Sequence, residues 1–188
     1  PVLVASLAFP GQVDAVAVSG TRALVAAGAM PYVSSGFWAV DVSDPGQPQV
    51  LARLDIYGRS YGLAATADHA FIAQGFQGLQ VIDMHSTLLP EPVATLDTPG
   101  ETYAIAALGD LLAVSDDSLG LLLVDIGAPT SPAIVGTLDI AISGGLAFQS
   151  PFLFVTNPAP GLQVIDLSNP AQPVVVGNAD PPGTEAGE

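Results

Sequence analysis

Few residues in this chain carry reactive chemistry, and each has a plain reading beside the chemical one. Gly58-Arg59-Ser60-Tyr61-Gly62 spells G-x-S-x-G. In a hydrolase that pattern puts a serine on a sharp strand-to-helix turn, with a histidine within reach of its hydroxyl. No helical pattern follows Gly62, so no hydrolase and no catalytic residue is expected. The chain has two histidines, His69 and His85. Together with Asp83 they offer nitrogen and oxygen ligands for a transition metal. They fall in different turns with no metal-motif spacing, and the expectation is surface residues rather than a metal centre. The run Ser115-Asp116-Asp117-Ser118 pairs adjacent carboxylates, and calcium wants six to eight oxygens. Asp116 and Asp117 are weak calcium candidates; without the EF-hand pattern, a solvated acidic pair is the simpler account. No other cofactor is expected.

A different chemistry comes from the aromatic residues. Tyr57, Arg59, Tyr61, Phe76, Glu101 and Tyr103 fall in neighbouring loops, and Met30, Tyr32 and Trp38 flank another. Aromatic rings with arginine are the usual anchors of a recognition surface. Tyr61 and Tyr103 occupy equivalent places in successive repeats, which suits packing. Arg59, Phe76, Trp38, Tyr32, Tyr57 and Glu101 are therefore the candidate contacts to a protein or carbohydrate.

The elements that must position these groups follow from composition and repetition. Of 188 residues, 49% are hydrophobic and 11% charged, which is unlike a disordered chain. Glycine and proline number 20 and 17, and they punctuate many short elements. There is no lysine; Arg22, Arg53 and Arg59 are the only basic residues besides the histidines, and the net charge is −15. Such a surface repels nucleic-acid phosphates and anionic lipid headgroups, so neither is an expected partner. No apolar run reaches the ~20 residues of a membrane helix, and no membrane insertion is expected. Cysteine is absent, which removes disulfides and thiolate chemistry. The start at Pro1 suits a mature or excised segment.

One repeat organises the whole. WAVDVSDPGQP (38–48), LQVIDMHSTLLPEP (79–92), LLVDIGAPTSP (122–132) and LQVIDLSNPAQP (162–173) align on Asp41, Asp83, Asp125 and Asp166, at spacings of 42, 42 and 41. Leu54-Asp55, Leu96-Asp97 and Leu138-Asp139 keep the same period. Each repeat holds four short β-rich stretches, such as GLAATA (62–67), HAFIAQ (69–74), LQVIDM (79–84) and PVATLD (92–97). Four strands in about 42 residues is the size of a propeller blade. The fold expected is all-β: a β-propeller of four roughly 42-residue, four-stranded blades. Counted from the first stretch, the repeats run about 1–47, 48–91, 92–131 and 132–172, with a further strand at 173–178 and a linker or tail at 179–188.

The phrase GLQVIDLSNPAQPVVVG (161–177) resembles the LVIVD-repeat signature, a strand ending V-I-D followed by S-x-P-x-x-P and another strand. Similar phrases stand at 38–54 and 79–96, while 122–138 keeps only V-D-I and a proline. The resemblance implies a bacterial or archaeal propeller, extracellular or on the cell surface, with no catalytic residues to carry over. The histidine-rich centres of metal-dependent propeller enzymes have no match here.

With strands lettered A to D outward from the axis, the D-to-A and B-to-C loops share one face, the top. Asp41, Asp83, Asp125 and Asp166 end each C strand on the lower face, where an aspartate accepts backbone N–H groups. Asp55, Asp97 and Asp139 are expected to cap loops at the top of D strands. PVLVASL (1–7) and PVVVGN (173–178) both occupy a D position, giving four A–B–C sets and five D strands. The surplus points to a piece of a larger propeller, with the remaining blades of the parent as partners. The function expected is a non-catalytic interaction module working through its top loops. The alternatives are part of an enzyme whose catalytic groups lie elsewhere, and a structural spacer.

Overall fold

A computed structural model describes residues 2–29, 33–86, 89–142, 144–159 and 161–179. Among these residues there is no helix, and sixteen strands form four antiparallel four-stranded sheets. The first sheet is β1 (Gln12–Ser19), β2 (Arg22–Ala29), β3 (Val33–Asp41) and β4 (Gln49–Ile56). The second is β5 (Gly62–Ala65), β6 (His69–Ala73), β7 (Leu79–Asp83) and β8 (Glu91–Leu96). The third is β9 (Thr102–Leu108), β10 (Leu111–Asp116), β11 (Gly120–Asp125) and β12 (Ala133–Leu138). The fourth is β13 (Leu146–Gln149), β14 (Phe152–Thr156), β15 (Leu162–Asp166) and β16 (Val174–Ala179). Each sheet is a meander in chain order, the arrangement of a propeller-like blade, and the A-to-D reading maps onto it directly.

The blades are alike below the level of sequence identity. In every sheet the register of the third strand against the fourth shifts at one place, at Ala39/Val40, Val81/Ile82, Leu123/Val124 and Val164/Ile165. The extra residue is Leu51, Val93, Val135 or Val176. A bulge there increases local twist, and it lets Pro92 lie inside β8 without breaking the ladder.

Three apolar interfaces join the sheets in chain order. Leu24, Ala26 and Phe37 of the first meet Leu63, Ile72 and Ile82 of the second. Phe71, Leu79 and Val81 meet Leu112, Leu122 and Val124 of the third. Leu121 and Leu123 meet Leu153, Val155 and Ile165 of the fourth. The central strands of the second and third sheets are apolar on both faces because both faces are covered. Each fully buried Leu, Ile or Phe contributes roughly 1.5–3 kcal/mol, so the interfaces carry the stability. A fourth cluster, Val25, Ala27, Trp38 and Val40, lies on the outer face of the first sheet under Phe9. No apolar cluster among the described residues joins the fourth sheet to the first.

Two expectations meet this frame differently. The sheets run A–B–C–D, one strand out of phase with repeats counted from residue 1. Residues 2–9 are in no strand, because each third strand already pairs with its own fourth. Of residues 179–188, read as linker or tail, Ala179 ends β16 and residues 180–188 lie outside the described residues.

Candidate functional site

The top face gathers the aromatic cluster around the second blade. Between β6 and β7 the loop 74–78 is a tight turn: Gln74 N donates to Gly78 O (2.9 Å) and Gly78 N to Gly75 O (3.0 Å). Gly75 and Gly78 have φ of 62° and 71°, a region that favours glycine. The third blade holds the turn from the side. Gly75 N donates to Thr102 O (3.0 Å), Thr102 N to Gly75 O (3.2 Å), and the buried Thr102 Oγ1 to Gly78 O (2.9 Å). Phe76 stands at the tip of this fixed turn, 85% exposed.

Beside it, the loop from β4 to β5 presents Tyr57, 89% exposed. Its backbone is held by Gln74 Nε2, which donates to Tyr57 O (2.8 Å). The Arg59 guanidinium lies 4.8 Å from the centre of the Tyr61 ring and 3.5 Å from Asp14 Oδ1 on the first sheet. Tyr61 and Tyr103 meet edge to face at 4.9 Å. Tyr103 donates its hydroxyl to Glu101 Oε2 (2.8 Å). That carboxylate bond, with lesser help from burial and neighbouring acids, pushes the phenol up to about 12. Asp14, Arg59, Tyr61, Tyr103 and Glu101 thus form a polar–aromatic chain across three blades.

The sequence candidates divide accordingly. Arg59, Phe76, Tyr57 and Glu101 come together; Tyr61 and Tyr103 pack against each other beside them, with Tyr103 still 37% exposed. Trp38 does not belong to this surface. It lies mid-strand in β3, 6% exposed, with Phe9 edge-on at 5.5 Å and Arg53 at 5.5 Å. The side chain follows the alternation of its strand onto the outer sheet face, away from the top loops. Tyr32 and Met30 lie outside the described residues. Asp14 and Gln74 were missed: Asp14 reaches Arg59 only across the blade interface, and Gln74 resembles any loop glutamine.

The acidic pair is already engaged in the fold. Asp116, 4% exposed, accepts Gly100 N at Oδ2 (2.9 Å) and Ser118 N and Leu119 N at Oδ1 (3.0 and 2.9 Å). Asp117 Oδ1 accepts Glu101 N (2.7 Å). The reading of this pair as solvated is corrected for Asp116, whose oxygens anchor two loops. Ser60 is fully buried and its hydroxyl has no hydrogen-bond partner among the described residues. β5 begins at Gly62, so the G-x-S-x-G stretch enters a strand and not a helix. Asp55 pairs with Arg53 on its own strand in place of the expected loop cap.

On the lower face the recurring aspartates share one job. Asp41, Asp83, Asp125 and Asp166 each accept the backbone N–H two residues on, from Ser43, His85, Gly127 and Ser168, at 2.7–2.8 Å. The bonds from Ser43 and His85 hold Asp41 and Asp83 below the usual carboxylate range, as the Ser168 hydroxyl and N–H do for Asp166. The Asp83 carboxylate raises His85. For the aspartates, the unfolded chain binds more protons, so their contribution is present above pH ~4 and lost as pH falls through the folded values. For His85 the folded state binds the proton more tightly. Its contribution is present below pH ~6.5 and lost as pH rises through the raised value. Urea midpoints are expected to climb with pH in the acid range. A decline above neutrality that disappears in His85→Ala is the second expected feature. A flat acid limb would show that the turns do not hold these carboxylates.

Comparison with known proteins bears on the fold. The sequence pattern described as the LVIVD repeat matches residues 10–55, 99–140 and 137–180. The stretch between the first two matches forms the second blade, with the same topology as the others. No curated protein matches the chain. Among solved structures, the crystal structure of the computationally designed Ika4 protein is similar at 14% identity and a TM-score of 0.64, covering 87% of this chain and 96% of that one. At that identity the likeness concerns architecture alone.

Proposed function

We propose that this chain, which belongs to the LVIVD-repeat family, is a non-catalytic interaction module of an extracellular or cell-surface protein, binding protein or carbohydrate through its top loops. The observation that carries the reading is Phe76: a large apolar side chain 85% exposed on a turn fixed by glycines and by the neighbouring blade. An exposed ring on a rigid support loses little entropy on binding, and arginine and tyrosine beside it supply the other usual anchors. Tyr57, Arg59 and Glu101 complete the surface.

The test is panning of a peptide-display library and probing of a glycan array with the intact chain. The expected ligands lose at least ~10-fold in affinity with Phe76→Ala or Arg59→Ala, as truncated anchors do. Thermal unfolding stays within a few degrees of the parent. Ligands that bind both variants as well as the parent, or no ligand from either library, would refute the proposal.

The blades also read as part of a larger ring. Support comes from the outer face of the fourth sheet, where Phe152 is 36% exposed and Phe154 and Val164 are half-buried. Residues 2–7 have the pattern of a fourth strand, and a preceding blade would supply its partner. The remaining blades of the parent chain are the proposed neighbours at both ends.

A further inference from the structure

The sequence places both histidines in separate lower-face turns; the structure brings them to one point. His69 opens β6 directly opposite Asp83 on β7. His85 lies just beyond Asp83, and its Nδ1 is 2.7 Å from Asp83 Oδ1. The two imidazoles meet edge to face at 5.5 Å. One ligand atom from each of His69, Asp83 and His85 lies within 4.8 Å of the others. Asp68 Oδ2 stands 3.9 Å from His85 Nε2.

The repeat makes this convergence specific to one blade. The aspartate is common to all four blades, but the residues around it are not. Opposite it stand Arg22, His69, Leu111 and Phe152; two residues on stand Ser43, His85, Gly127 and Ser168. Only the second blade puts imidazole at both places, and these are the only imidazoles in the chain. The turn needs a carboxylate at Asp83 for its backbone, whereas nothing in the turn needs either histidine.

We propose that His69, Asp83 and His85 form a binding site for a divalent transition-metal ion. Two imidazoles with carboxylate suit zinc, nickel or copper better than calcium or magnesium. Bonds of ~2.0–2.2 Å put neighbouring tetrahedral ligands about 3.4 Å apart, so the most distant pair closes by roughly 1.4 Å, a rotamer adjustment open to partly exposed side chains. The backbone beneath is already fixed. Met84 N donates to Asp68 O (2.8 Å), and Arg22 of the first sheet donates to Met84 O (3.0 Å) and Ala67 O (2.6 Å). The Arg22 charge opposes a cation, but its donors are spent on carbonyls flanking the ligands. An ion held between Asp83 Oδ1 and His85 Nδ1 would take the place of the proton now shared by them, while Asp68 Oδ2, 3.9 Å from Nε2, would steady the far side of the ring as an outer carboxylate. Asp68 and His69 also line a cleft of about 510 Å³ between the second and third blades, which leaves the ion an exchangeable position for water or a small anion.

The test is calorimetric titration of the untagged chain with ZnCl₂ and with NiCl₂, together with NMR of the two imidazole Cε1–H signals. One ion per chain is expected, shifting both signals together. His69→Ala and His85→Ala should each weaken binding at least ~10-fold. Asp83→Asn keeps an oxygen for the turn and should weaken binding without lowering thermal stability to the same degree. Asp116→Asn should leave binding unchanged. Absence of binding, two ions per chain with independent shifts, or unaltered affinity in either histidine variant would overturn the proposal.

Discussion

Phe71→Ala lowers the unfolding free energy by about 3–5 kcal/mol, the range for truncating a buried aromatic ring. Phe71 is fully buried where the second blade meets the third, among Leu79, Val81, Leu112 and Leu122. Removing it takes apolar surface out of the interface and leaves a cavity that flanking sheets, each tied by its own ladder, cannot collapse to fill. Against a total of ~5–15 kcal/mol for a native protein, that loss threatens the native state. The measurement is urea unfolding followed by tryptophan fluorescence and far-UV circular dichroism. Val16→Ala is the control, because Val16 is 62% exposed and its truncation should cost less than ~0.5 kcal/mol. Comparable small losses in both variants would mean that the blades do not stack through this interface.

The second large effect is expected at Asp116. Asp116→Ala leaves the N–H groups of Gly100, Ser118 and Leu119 without their acceptor. An unsatisfied buried donor costs ~1–3 kcal/mol; with part of this loop reachable by water, a total of about 2–4 kcal/mol is expected. Asp116→Asn should cost less, since one oxygen survives. Asp117→Ala should cost less again, because its carboxylate is exposed and serves one backbone donor, Glu101 N. Denaturation of the three variants gives the order. If Asp116→Ala is as mild as Asp117→Ala, the carboxylate is not holding the two loops. A calcium-dependent rise in the parent's melting temperature that Asp116→Asn abolishes would instead restore the cation reading.

The surface and the lower-face cluster differ in how far they could be read from the chain. Asp41, Asp83, Asp125 and Asp166 were legible because their partner is two residues away, and turn chemistry at that range is written in consecutive letters. The loops holding Tyr57, Arg59, Phe76 and Glu101 were legible as one face because a four-stranded meander puts alternate connections on the same side. Trp38 was misplaced because an aromatic next to a loop and an aromatic inside a strand look alike until the register is known. The bulge in each fourth strand was equally hidden. Leu51, Val93, Val135 and Val176 repeat the blade period, yet nothing in a run of apolar residues says which one is skipped.

By itself the sequence determined the blade: its period, its four strands, its turns and the structural duty of its repeated aspartates. All of these rest on interactions within a few residues or on hydrophobic patterning. Only the tertiary structure decided which distant groups meet. Asp116 reaches Gly100, Arg59 reaches Asp14, Phe9 covers Trp38, and His69 faces His85 across Asp83. Such contacts depend on strand register and on how one twisted sheet settles against the next, and side-chain packing sets both only when the sheets come together.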